Sequence, residues 1–221
     1  MSAIGDVLLE IYHRLLARYG PQHWWPAEDQ FEVIVGAILT QAAAWVNVEQ
    51  ALSNLKAATA ITPVALRDLP LDRLATLIRP CGYYNAKAVK LKAFVGRLGA
   101  RYSDDLDQLF ALEIDDLRQE LLSIHGVGEE TADSIILYAS KKPVFVIDAY
   151  TRRIIRRLGL APVSDSYRSF QALFTENLPS EEGLFNEYHA LLVHHGKEAC
   201  GKIPQCTHCC LRSLCPFARQ S

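Results

Sequence analysis

The sequence predicts an all-α fold that ends in a cysteine-bound loop, on three observations. Apolar residues recur at three- and four-residue spacing along nearly the whole chain. The only strand-like run, Val144 to Ile147, is four residues long and too short to build a sheet. Five of the six cysteines fall within sixteen residues near the C-terminus.

The periodic segments are 4–19, 29–44, 47–58, 63–69, 71–78, 85–100, 104–111, 114–123, 129–140, 149–158, 166–177 and 182–196. Turn-forming residues punctuate them. Gly20-Pro21 and Pro26 separate the first two segments, Pro63, Pro70 and Pro80 start or stop the short ones, and Gly126 to Gly128 divide 114–123 from 129–140. Pro143, Pro162 and Pro179-Ser180 bound the last three. No internal repeat is evident.

With 221 residues, half of them apolar, the chain is long enough to bury a sizeable core. Lys+Arg is 23 and Asp+Glu is 25, a net charge of −2, so a nucleic-acid partner would have to be met by a local patch. No run of 18 apolar residues suggests a membrane span. The first twenty residues carry Asp6 and Glu10 in an amphipathic pattern, unlike a secretory leader. The expected location is the cytoplasm.

Cys200, Cys206, Cys209 and Cys215 read C-x5-C-x2-C-x5-C, and clustered thiols in a chain without a secretory leader point to a metal site. Four thiolates can surround Zn²⁺ or a 4Fe–4S cluster. Zinc ribbons usually pair two C-x2-C knuckles, and only one is present, so the wide outer spacings favour the bulkier cluster, with Zn²⁺ as the alternative. Cys210 is read as a free or packed thiol. His194, His195 and Lys197 are read as a helix end packing on this loop.

The most informative stretch is Leu121 to Asp148. Gly126 and Gly128 allow tight backbone geometry, and Val127 between them can plug into the core. The amides around Gly126, Gly128, Glu129 and Thr131 then lie at a helix N-terminus, where they can bind a phosphate. Asp148 follows an apolar run and can cap helix 149–158. That helix carries Arg152, Arg153, Arg156 and Arg157, with Lys141 and Lys142 just before it, so residues 141–157 have a net charge of +5. Such a ridge is an electrostatic footprint for nucleic acid. Residues 197–221 add a net +3 through Lys197, Lys202, Arg212 and Arg219 against Glu198.

Ile124-His-Gly-Val-Gly-Glu-Glu-Thr-Ala-Asp133, then Val146-Ile-Asp148, then the four-cysteine loop resemble the endonuclease III branch of the helix-hairpin-helix DNA glycosylases. Ala37-Ile-Leu-Thr-Gln41, Cys81-Gly-Tyr-Tyr-Asn-Ala-Lys-Ala88 and His194-His-Gly-Lys197 extend the resemblance along the chain. There are departures: Glu130 stands where bifunctional members carry a catalytic lysine, the first cysteine gap is five residues where six is usual, and His125 replaces a common proline. The Gly-Val-Gly-Glu-Glu-Thr-Ala-Asp variant with Trp24-Trp25-Pro26 is similar to the 3-methyladenine DNA glycosylase III (MagIII-like) subgroup, whose members typically lack the cluster.

The resemblance implies two helical lobes, 24–140 and 1–23 with 141–221, with the hairpin and Asp148 facing each other across a cleft. It implies a monomer that binds double-stranded DNA with damaged bases, nucleoid-associated in a bacterium or archaeon. It implies Asp148 as the catalytic carboxylate and Gln41 as the residue filling the space left by a flipped base. Without an amine at position 130, Schiff-base strand cleavage is expected to be absent or weak. Trp24, Trp25 and Trp45 offer π-faces that attract a cationic alkylated base; Tyr150 and His13 are further candidates. Excision of mismatched adenine or thymine or of oxidised pyrimidines, and a DNA-binding or redox module without turnover, are the alternatives.

Overall fold

The structure is a computed structural model that describes residues 3–220. All regular structure among the described residues is helical, and no described helix is long and apolar enough to cross a membrane. The chain divides into two compact units, Trp25–Lys141 and Met1–Trp24 with Lys142–Ser221.

The Trp25–Lys141 unit holds α2 (Gln30–Leu39), α3 (Trp45–Ala58), α4 (Pro63–Asp68), α5 (Leu71–Leu77), α6 (Tyr84–Tyr102), α7 (Leu106–Phe110), α8 (Ile114–Leu122) and α9 (Glu129–Ser134). Three of the eight starts are written locally by a capping side chain. Asp29, Thr62 and Asp105 cap α2, α4 and α7 by accepting amide hydrogen bonds in the first turn. α9 runs on as a π-helical turn, Ile135–Ala139. α2 and this turn are buried on all sides and pack on each other as the centre of the core. α2 is shorter than the periodicity predicts: it stops at Leu39, and Ala42 takes a left-handed φ of 51°. Gln41 therefore lies in a turn after the helix, and Trp45 begins α3 instead of ending α2.

The fully buried Lys87 fixes that end. Its ammonium donates to Leu39 O at 2.9 Å and Cys81 O at 2.8 Å, satisfying carbonyls at the ends of α2 and of a 3₁₀ turn (Arg79–Cys81). Burial lowers its pKa.

The other unit combines α1 (Ala3–Tyr19), α10 (Ala149–Arg157), α11 (Tyr167–Thr175), α12 (Glu182–Glu198) and a short α13 (Pro216–Gln220) that the periodicity misses. Leu8, Ile11 and Leu15 of α1 are fully buried, and Leu8 O accepts from Tyr188 of α12 at 2.8 Å. The extended run 144–147 is anchored through Phe145, which stacks on Phe174 at 3.8 Å and meets Tyr188 edge-on. That anchoring sets where Asp148 emerges.

Asp133, with no exposure, pairs with Arg118 at 2.8 Å and ties α9 to α8. Asp133→Ala leaves the guanidinium half-sheltered without this carboxylate. It is expected to cost about 3 kcal/mol, read as a lower midpoint in urea unfolding.

Candidate nucleic-acid interface and cysteine site

The hairpin is built as glycine chemistry demands. The Val127 amide donates to Ile124 O at 3.1 Å, closing the turn, and Val127 is buried. Gly126 sits at φ +84°, a region L side chains rarely adopt. A Cβ there would lie 2.3 Å from Lys90 Cγ. Gly128 is the N-cap of α9 at an extended φ of −96° and has no side chain to occupy the first-turn amides. Glu129 and Glu130 fill that turn, both exposed; the Glu129 carboxylate reaches Arg118 at 3.3 Å. Thr131 is buried, so its hydroxyl is turned inward.

Gln41 reaches this hairpin from the turn after α2. Its Nε2 donates to Gly126 O at 3.0 Å and to Thr131 Oγ1 at 2.9 Å. Its Oε1 accepts from Lys90 Nζ at 2.5 Å. The sequence offers no sign of this, because the partners lie 49 to 90 positions away.

Trp25 packs edge-on against Trp45 at 5.3 Å and tilted against Tyr138 at 5.3 Å, and its ring fills the space over Gly36. Trp24 belongs to the other unit. Tyr150 lies against Gly196 under Arg153, and His13 is exposed beside Tyr12.

Asp148 caps α10: Oδ1 accepts from the Thr151 amide at 2.7 Å. Its side chain is 12% exposed, and Oδ2 lies 4.0 Å from Nε2 of His189 on α12. Burial lowers the His189 pKa, with the Asp148 charge partly opposing this.

The four arginines of α10 have partners within their unit. Arg153 donates to Cys200 O at 2.8 Å and Gly196 O at 3.0 Å. Arg157 donates to Cys200 Sγ at 3.1 Å and Gly201 O at 2.7 Å and lies over Phe217. Arg152 and Arg156 pair with Asp165 and lie over Phe170. These bonds brace the cysteine loop and α11, while Arg156 stays exposed and the other three arginines are half-buried. The loop's own Lys197, Lys202, Arg212 and Arg219 are exposed.

Cys200, Cys206, Cys209 and Cys215 all line one hollow, together with Ile154, Leu158, Leu211 and Ala218. Cys210 does not line it. Among the described residues no three His, Cys, Asp or Glu side chains converge on a point where one ion would sit. Four thiolates are a donor set that Zn²⁺ or a 4Fe–4S cluster can take. His195 is the neighbour predicted to pack there: Nδ1 lies 2.9 Å from Tyr19 Oη and Nε2 3.6 Å from Cys209 Sγ. His194 instead meets Gln22 at 2.7 Å.

Residues 35–180 match the family model described as HhH-GPD superfamily base excision DNA repair protein. A Methanocaldococcus jannaschii protein, named as a candidate DNA repair glycosylase, is 43% identical over 212 residues, covering 95% of this chain and 96% of its own. Endonuclease III of Sulfolobus acidocaldarius is 31% identical over 85% of this chain and 82% of its own. Among solved structures, a trapped endonuclease III–DNA covalent intermediate superposes with a TM-score of 0.84 at 22% identity, covering 100% of this chain and 99% of that one, a likeness of fold. An H. pylori 3-methyladenine DNA glycosylase (MagIII) bound to 1,N6-ethenoadenine gives 0.74 at 26% identity, covering 88% and 97%.

His189 is held neutral inside the fold, whereas the unfolded histidine takes up a proton below about pH 6.5. The unfolded state then binds more protons, so stability falls as pH drops through that value. Urea midpoints at pH 7.5 and 5.5 are expected to differ less for His189→Gln than for the wild type.

Proposed function

The chain belongs to the HhH-GPD superfamily of base excision DNA repair proteins and is a DNA glycosylase of the endonuclease III type, and from that premise we propose that it hydrolyses the N-glycosidic bond of alkylated purines of the 3-methyladenine kind, without strand cleavage. The observation that carries this reading is the pairing of functional groups along the chain: a carboxylate held rigidly at Asp148, and a carboxylate, Glu130, where a lyase needs an amine.

A base stacked in a duplex is out of reach, so it must be turned out of the helix. The amides of Gly128, Glu129 and the following residue would hold the backbone phosphate, helped by the exposed basic groups of the cysteine loop. Gln41 would occupy the vacated space. As the bond to the base breaks, positive charge builds on the sugar. The Asp148 carboxylate stabilises that charge and can orient or deprotonate the attacking water. Its Oδ1 is committed to Thr151, which leaves Oδ2 for this work. A carboxylate alone suffices when the leaving base is already cationic, as a 3-methylated purine is.

Two further features support this substrate class. The Trp25–Trp45 pair is half-buried and offers a π-surface, worth about 0.5–2 kcal/mol to a cation. The similarity to the MagIII structure, at 26% identity, points the same way. Strand cleavage would require an amine to attack the sugar carbon, and Glu130 cannot supply one.

The cysteine hollow would hold a 4Fe–4S cluster on Cys200, Cys206, Cys209 and Cys215. When bound, such a cluster ties the loop together and supplies a redox-capable centre. Arg153 and Arg157 hold the loop backbone to α10, the helix that Asp148 begins.

Incubation of the purified protein with methylated DNA is expected to release free 3-methyladenine, with strand breaks only after alkali. Asp148→Asn should lower the single-turnover rate by at least about 100-fold while binding DNA as well as before. Absence of released base would sink the alkylpurine assignment, and breaks without alkali would sink the monofunctional one. Cys206→Ala is expected to yield colourless protein with less bound iron than the brown wild type; a colourless, zinc-containing wild type would reverse the metal assignment.

A further inference from the structure

Lys90 has no role in anything derived above, yet it is built into the hairpin. It lies on α6, half-buried, and its stem runs where a side chain on residue 126 would be. A Cβ on Gly126 would meet Lys90 Cγ, Cδ and Cε at 2.3, 2.6 and 2.8 Å. Glycine at 126 thus serves two purposes: it accepts the +84° φ, and it opens the track along which Lys90 crosses the turn. At the end of that track the ammonium meets Gln41 Oε1 at 2.5 Å.

That contact completes a clamp. A glutamine amide has one acceptor oxygen and two N–H donors. In Gln41 both donors are taken, by Gly126 O and Thr131 Oγ1, and the oxygen is held by Lys90. Three fixed bonds set the plane of the amide and which end is oxygen. The acceptors alone would leave Oε1 open to other partners; the cation gives the amide one orientation. Gln41 leaves the main chain in a turn beside Ala42, so helix geometry does not orient it.

We propose that Lys90 is a positioning residue that presets Gln41 on the hairpin before DNA arrives, so that the protein recognises duplex DNA with a missing base by a glutamine already in place. The proposal rests on the reading that Gln41 fills the space left by a flipped base. An unclamped glutamine would have to be ordered on binding, at about 0.5–1.5 kcal/mol for a rotamer-rich side chain, equivalent to roughly 2- to 13-fold in affinity. The clamp removes that cost only where Gln41 has a gap to enter.

The test uses the full chain and two probes, a duplex with a tetrahydrofuran abasic-site analogue and the same duplex intact, titrated by fluorescence anisotropy. The wild type should prefer the abasic duplex. Lys90→Met and Gln41→Ala should each reduce that preference about fivefold with intact-duplex affinity little changed. The double variant should lose no more than Gln41→Ala alone, the mark of two residues acting as one. Lys90→Arg, which can still reach Oε1 with an N–H, should keep most of the preference and guards against a folding artefact. Equal weakening of both duplexes by Lys90→Met would make it a plain phosphate contact and overturn the proposal. Additive losses in the double variant would do the same. A wild type that binds DNA without preferring the abasic duplex would overturn the proposal and Gln41's role, and one that binds neither duplex would remove the base-excision reading itself.

Discussion

Every helix end leaves carbonyls without amide partners, and a chain folded from many short helices has many to satisfy. This protein meets a large share of them with the ends of long cationic side chains. Lys87 closes the end of α2 and of the 3₁₀ turn, and Lys92 donates to Arg67 O at 2.6 Å and to Leu69 O where α4 ends. Arg153 does the same at the end of α12, and Arg157 in the loop that follows it. Each cation sits where the helix dipole favours positive charge. The buried ones are tolerable because carbonyl oxygens replace the water they lose. Take these cations away and short elements lose the contacts that fix their mutual angles.

In the Lys142–Ser221 part of the chain, this device joins chemistry to scaffold. α10 starts with the Asp148 carboxylate and ends with the arginines that grip Cys200, Gly201 and their neighbours. The cysteine loop has few buried apolar side chains of its own, chiefly Leu211 and Cys215. It gains its shape in part from those guanidinium bonds. The carboxylate and the cysteine hollow are thus two ends of one nine-residue helix.

The sequence made the helical class, the hairpin and the Asp148 cap legible, because each is local: a period, a pair of glycines, a carboxylate before an apolar-and-basic helix. The four cysteines that the spacing singles out line one hollow, and Cys210 is not among its lining residues. The partners of the basic run 152–157 are not legible, because charge counted along a chain says nothing about which way a guanidinium turns. Arg153 and Arg157 find carbonyls more than forty residues away. The end of α2 at Leu39 was hidden for the same reason: the apolar period continues into Ala42–Ala44, but the chain turns there. Lys90, Lys87 and His189 drew no notice because their partners are distant in sequence and their residue types are ordinary on a helix.

The carboxylate at position 130 also bears on the electrostatics of the turn. Glu129 and Glu130 place two carboxylates in the first turn of α9, where the dipole favours them but where an incoming phosphate would be repelled. Arg118 answers half of this by drawing the Glu129 carboxylate toward α8, beside its bond to Asp133. Lys90 adds a positive charge on the other side of the turn, at Gln41. What is left for a phosphate is the row of amides that Gly128, having no side chain, cannot cap. Under the proposed function the hairpin would hold a backbone by directed N–H donors more than by net charge, and long-range attraction to a polyanion would fall to the exposed Lys197, Lys202, Arg212 and Arg219.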